Sequence, residues 1–201
     1  MLEGHKKLHS FVIAAIISLC FASRVGFAEP HKYVIDPEHL SIGFLVQHIG
    51  FAKVLGMFLE AEGSFIFDEA TLDLTNVIVK IQADSVFTNH KKRDKHLRGA
   101  DFLNSREFPH IIFRGDSSEI LDKHNGVVSG RLTLLGKTLP IVLDVVKNKS
   151  ETYPFGHKKH TIGLSIRGDF KRSDYDMSYA VSNGWVGDKI DLIIELEAYR
   201  D

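Results

Sequence analysis

Ile190-Asp191-Leu192-Ile193-Ile194-Glu195-Leu196-Glu197-Ala198 places Ile190, Leu192, Ile194, Leu196 and Ala198 on one parity, with Asp191, Glu195 and Glu197 on the other. Successive side chains of a strand point to opposite faces, so this stretch has one dry face and one wet face. Half-exposed strands of this kind belong to antiparallel sheets.

The same reading extends across the chain. Ile42, Phe44, Val46 and His48 oppose Ser41, Gly43, Leu45 and Gln47. Val77, Val79 and Ile81 oppose Lys80 and Gln82, and Val128, Gly130, Leu132 and Leu134 oppose Ser129, Arg131 and Thr133. Ile141, Leu143 and Val145 form another set, and Ile162, Leu164 and Ile166 oppose Ser165 and Arg167. From Val54 to Phe67 the pattern is less regular, because Phe58 falls on the parity of Glu60, Glu62 and Ser64. A bulge near Gly56 or Gly63 would reconcile it. Asn125-Gly126 reads as a type I′ hairpin turn, Leu135-Gly136-Lys137 separates two strands, and Asp68-Glu69-Ala70-Thr71 ends the long one. Residues 149–160 and 172–187 read as loops.

One segment breaks the strand rhythm. Residues 89–104 read as a helix, capped by Thr88 or Asn89, with Asp94 and Arg98 spaced for an ion pair. Eight or nine strands and one helix predict a mainly β fold. Closure removes exposed edges, so a closed eight-stranded antiparallel barrel with the helix near its mouth is preferred to a sandwich.

The first residues read as an address. Lys6 and Lys7 precede Phe11 to Ala22, 12 residues apolar except Ser18, and Gly26-Phe27-Ala28 offers small residues for cleavage. Residues 1–28 are therefore expected to be a cleaved secretory signal peptide, with residues 29–201 a single exported domain. The run is short for a membrane span, which needs about 20 residues. Cys20, the only cysteine, lies within this segment, so the exported chain uses no disulfide. Removing Lys6, Lys7, Arg24 and Glu3 takes 25 basic and 26 acidic residues to 22 and 25, a net charge of −3. No basic surplus points to nucleic acid or an anionic membrane as the main partner, and no later segment is long enough to span a bilayer.

Catalytic and metal signatures are weak. Nine histidines lie beyond residue 28. His157 and His160 flank two lysines, and His90 and His96 are spaced poorly for one helix face, so no metal is expected. Ser41, Ser85 and Ser165 sit in no nucleophile elbow, and no catalytic residue or cofactor is assigned. An eight-stranded barrel can enclose one small ligand or a solid side-chain core, and periodicity alone leaves both open.

Several motifs together resemble the YceI-like family. Tyr33-Val34-Ile35-Asp36-Pro37-Glu38-His39-Leu40-Ser41 precedes Phe44-Leu45-Val46-Gln47-His48; Gly56-Met57-Phe58 and Gly63-Ser64-Phe65-Ile66-Phe67-Asp68 follow. Then come Arg93-Asp94-Lys95-His96-Leu97, Asp101-Phe102-Leu103, Phe108-Pro109-His110-Ile111-Ile112-Phe113 and Gly130-Arg131-Leu132-Thr133-Leu134-Leu135-Gly136. The resemblance covers residues 32–197 in order. It implies a lipocalin-like periplasmic barrel that binds polyisoprenoid or related amphiphilic lipids, with no established catalytic activity.

On that expectation the barrel holds a long-chain isoprenoid, a prenyl phosphate or a quinone-like lipid, for sequestration or carriage. Its tail would lie against Phe44, Val46, Phe65, Phe67, Val79, Ile81, Leu97, Phe102, Phe113, Leu132, Leu134, Leu164 and Ile166. His48, Arg93 and Asp94 are the head-group candidates, although a structural role pinning the helix is the preferred reading of Arg93, Asp94 and His96. Two alternatives stand beside this. An enzyme acting on a bound isoprenoid needs a polar cluster inside the barrel. A stress-related interaction protein needs an exposed patch, with Tyr175, Tyr179 and Trp185 the candidates, which would also serve a homodimer.

Overall fold

The computed structural model describes residues 29–201. The expected signal peptide, residues 1–28, lies outside them. Ten strand segments and one helix follow in order: β1 (His31–His48), β2 (Ala52–Phe58), β3 (Ala61–Phe67), β4 (Leu74–Gln82), β5 (Val86–Phe87), α1 (Lys91–Leu97), β6 (His110–Ile120), β7 (Asn125–Leu134), β8 (Lys137–Thr152), β9 (His160–Lys171) and β10 (Val186–Arg200). Neighbouring segments pair antiparallel, and β10 returns to β1 to close the sheet. β1 pairs along its length with β2 and then β3, while β5 and β4 pair with those two in turn. Segments β2–β3 and β4–β5 are thus two interrupted staves, and the barrel has eight.

The irregularity around Phe58 is a break at Leu59–Glu60, and the β3–β4 register also shifts between Ser64 and Ile66, beside Gly63. The amides freed there are not orphaned: Leu59 and Glu60 N–H both donate to Ser85 Oγ at 3.1 Å. β1 turns its own corner between Ile35 and Leu40, where it advances five residues while β10 advances from Ala198 to Leu196. Pro37, which has no N–H for the ladder, sits in the unpaired stretch. Asp36 Oδ1 takes the Glu38 N–H at 2.9 Å and steadies the corner.

Glycines that alternation places on the inner face do not enlarge the interior. A Cβ at Gly130 would lie 2.7 Å from the Phe113 ring, and one at Gly56 only 2.2 Å from the Phe44 ring. Aromatic rings fill the space these glycines leave. The hairpins also differ from expectation in one place. Leu135 and Gly136 both have positive φ and form the two-residue β7–β8 turn. Asn125-Gly126, in contrast, already belongs to β7, and the turn before it is built on Asp122, whose Oδ1 accepts from His124 and Asn125 N–H.

The end of the barrel remote from α1 is closed. Tyr33, Ile35, Phe65, Phe67, Ile162, Leu164, Leu196 and Ala198 pack into one buried cluster. Tyr33 and Phe65 stack with centroids 5.4 Å apart. Beneath them Glu69 Oε1 accepts from Tyr33 Oη at 2.6 Å and Arg200 Nη2 at 3.0 Å, and lies 2.7 Å from His160 Nε2. Burial, and then this carboxylate, push the Tyr33 hydroxyl up to about 12.

Candidate functional site: an apolar cavity with a polar mouth

The helix at the opposite end is shorter than the sequence suggested. It spans Lys91–Leu97, and turns occupy the rest of the expected range. Neither Thr88 nor Asn89 is its cap. Asn89 adopts a left-handed φ of 57°, and His90 is the N-cap, its Nδ1 accepting from Arg93 N–H at 3.2 Å. Asp94 is buried and turns back to the Thr88 amide and hydroxyl. Burial opposes its charge, but these donors and Arg98 outweigh that and hold the carboxyl below its usual range. Arg98 does not ion-pair with Asp94; its guanidinium donates to the carbonyls of Asp84 and Val86. Arg93 donates to Thr88 Oγ1 at 2.7 Å and to Thr88 O at 2.8 Å, so Arg93 and Asp94 meet through Thr88 rather than each other.

Between this mouth and the closed end runs a cavity of about 570 Å³. Its walls on β10 reach from Val186 to Leu196, ten residue steps. That is about 33 Å along the strand and about 25 Å along the axis of a barrel whose strands tilt by ~40°. Phe44, Val46, Phe65, Val79, Ile81, Phe113, Leu132, Leu134, Leu164 and Ile166 line it, as do Leu97 and Phe102 from the mouth segment. Phe67 does not; it belongs to the closed end, against the Tyr33 ring. Leu192 and Ile194 point inward yet stay only half-buried, because the surface they expose faces this space.

Polar lining groups gather at the mouth. They are Gln47, His48, Lys92, Arg93, His96 and Arg172, beside Tyr179 and Trp185. None of the lining residues is Asp or Glu. Asp94 is therefore near the mouth but not part of the wall. His96 bonds Asp101 Oδ2 at 2.7 Å and packs edge-on against Phe102 and Tyr179. Tyr175, expected in an exposed patch with Tyr179 and Trp185, is buried against Phe170.

Arg172 went unrecognised in the sequence. It is 1 % exposed, and its guanidinium donates to the carbonyls of Gly187, Met177, Tyr179 and Val186 at 2.7–3.0 Å. Burial draws it below the usual arginine value, with Asp188 opposing. Four carbonyls on a loop of no clear periodicity carry no local signal, so only the folded chain reveals that one arginine organises residues 176–187. Away from the cavity, Asp36, His39 and Glu197 have ligand atoms within 4.8 Å of one another on the outside of the β1 corner. The 2.8 Å His39–Asp36 bond, which raises the imidazole's affinity for its proton, accounts for that grouping as an ion pair.

The YceI-like domain model matches residues 33–198. The chain belongs to the YceI-like family. Protein YceI of Escherichia coli O157:H7 is 35% identical over 191 residues, which cover 92% of this chain and 97% of that one. The YceI crystal structure from Campylobacter jejuni superposes with a TM-score of 0.71 at 31% identity, covering 77% of this chain and 90% of that one. A polyisoprenoid binding domain from Saccharophagus degradans, implicated in plant cell wall breakdown, has a TM-score of 0.62. It is 12% identical, and the match covers 86% of this chain and all of that one. At that identity the last likeness speaks for the fold alone.

Proposed function

We propose that this YceI-like protein is exported to the periplasm and there sequesters or carries a long-chain isoprenoid amphiphile inside the barrel. The observation that carries the reading is the cavity: about 570 Å³, deep, apolar along its walls and polar at one end. Each buried methylene contributes about 0.8 kcal/mol, so a tail of ten carbons already offers ample attraction. Selectivity then rests on length and on the head. Lys92 and Arg93 line the mouth without a lining carboxylate, which favours an anionic head such as a prenyl phosphate over a neutral quinone. Arg93 Nη1 makes no hydrogen bond among the described residues and is free to meet such a head. The polyisoprenoid-binding S. degradans domain supports the tail class by its fold. An enzyme acting on the tail would need polar groups beside it; the walls below the mouth are apolar.

Native mass spectrometry of the exported protein, followed by organic extraction, tests this. A stoichiometric isoprenoid phosphate supports the proposal. Protein that arrives empty and also refuses added prenyl phosphate in titration refutes it.

A further inference from the structure

We propose that the mouth of the barrel is a docking face for an anionic lipid bilayer. The proposal rests on the reading of the cavity as an amphiphile site and adds where the amphiphile enters and leaves. Four large apolar side chains stand exposed around the opening: Ile49 (49 %), Phe51 (91 %), Tyr179 (44 %) and Trp185 (59 %). They come from the β1–β2 turn and from the loop that Arg172 organises. Ile49 N–H donates to the Trp185 carbonyl at 2.9 Å, which ties the two segments into one rim. Ile49, Tyr179 and Trp185 also line the cavity, so apolar surface runs unbroken from the barrel interior to the outside.

Packing against His96 and Phe102 explains Tyr179 but not the whole rim. Phe51 is almost wholly in water and adds nothing to the core. Isolated surface apolar residues are ordinary, but a cluster around an opening is an interaction site. Tryptophan and tyrosine are the residues that favour the bilayer interface. Beside the rim, where His96 packs on Tyr179, α1 carries Lys91, Lys92 and Lys95, all exposed and in no ion pair among the described residues. That charge complements anionic headgroups. A second copy of the chain would present the same lysines, which disfavours a mouth-to-mouth pair. The overall acidic balance of the chain hides this local basic edge. The physical need is also specific: a tail released away from a membrane must cross water, whereas a mouth seated in the interface passes it from one apolar phase to another.

Trp185 is the only tryptophan in the chain and reports directly on the rim. Purified protein is mixed with vesicles of equal parts phosphatidylglycerol and phosphatidylethanolamine, and separately with phosphatidylcholine vesicles. The expected result is a blue shift of Trp185 emission with the anionic vesicles, quenching by brominated acyl chains, and co-sedimentation. Phe51→Asp lies outside the cavity wall; it is expected to reduce vesicle partitioning at least tenfold while leaving uptake of prenyl phosphate from detergent micelles unchanged. Wild-type protein that takes prenyl phosphate from micelles but shows no Trp185 response to vesicles overturns docking and leaves the cavity reading standing. Vesicle docking without any micelle uptake does the reverse. Concentration-dependent self-association abolished by Phe51→Asp, with no vesicle response, also overturns the proposal and assigns the rim to a second copy.

Discussion

Replacing Ile194 with tryptophan should shorten the cavity without touching its mouth. Ile194 pairs with Ile166 one inward step above Leu196 and Leu164, the deepest wall residues on β10 and β9. An indole there would seal off about two residue steps of strand, about 5 Å of depth after correction for tilt. An extended chain advances roughly 1.2 Å per bond, so about four methylenes are excluded. At about 0.8 kcal/mol each, the longest tails lose about 3 kcal/mol, on the order of a hundredfold in affinity. Tails that end above Ile194 lose nothing. The assay is calorimetric titration of a homologous series of alkyl and prenyl phosphates against both proteins, with near-ultraviolet circular dichroism to check packing. A step in the affinity ratio at one chain length is the expected result. An equal loss at every length, or none at any length, refutes the idea that tails lie down the barrel axis with their ends at the closed end.

Other consequences are separable. Glu69→Gln leaves Tyr33, His160 and Arg200 without their charged acceptor in a partly exposed site and should cost about 2 kcal/mol, about 4–8 °C in melting temperature. Burial opposes the charge of Glu69, but Tyr33, His160, Arg200 and Ser150 outweigh it and hold its carboxyl low. Its contribution is thus complete above the unfolded glutamate value, about pH 4.3, and is lost as pH falls through the folded value. Urea midpoints of the wild type should fall across that window more steeply than those of the variant. Arg172→Met strands four carbonyls, so a loss of about 3 kcal/mol or more is expected, with faster amide exchange concentrated in residues 176–187. Arg93→Ala should weaken phosphate-headed ligands about tenfold and leave a neutral alcohol of the same tail unchanged, as competition titrations would read.

Inside-versus-outside was legible wherever a strand ran straight. In β10 the parity of Ile190 to Ala198 is the parity of the cavity wall, because a pleated backbone offers a binary choice and water decides it. The same holds for Phe44 and Val46, and for Leu132 and Leu134. Legibility ended where a backbone group is satisfied from far along the chain. The gap at Leu59–Glu60 exists because Ser85 Oγ, more than twenty residues away, accepts both amides. The cap at His90 depends on a left-handed Asn89, and both are fixed by how Thr88 is held between Arg93 and Asp94. Phe67 shares its parity with Phe65 but not its role, since parity says which face a residue takes and nothing of how far down the barrel it lies. Whether the interior was filled or hollow also escaped the pattern. Phe44 over Gly56 and Phe113 over Gly130 fill the space these glycines leave, while the half-buried Leu192 and Ile194 mark the space that remains.

The two ends of the barrel treat charge in opposite ways, and this gives the site a direction. At the closed end one oxygen of Glu69 gathers Tyr33, His160 and Arg200, so the Arg200 charge there is matched beneath a layer of aromatic rings. At the mouth no lining residue is a carboxylate; of those close by, Asp94 is spent on Thr88 and Asp101 meets His96. Exchanging these arrangements would place an unmatched charge beneath a dry floor, at a cost of several kcal/mol. An anionic amphiphile therefore has one favourable orientation, head against α1 and tail toward the Tyr33–Phe65 stack. On the proposed reading entry and exit then share a single opening, at whose edge Trp185 both lines the cavity and stands exposed.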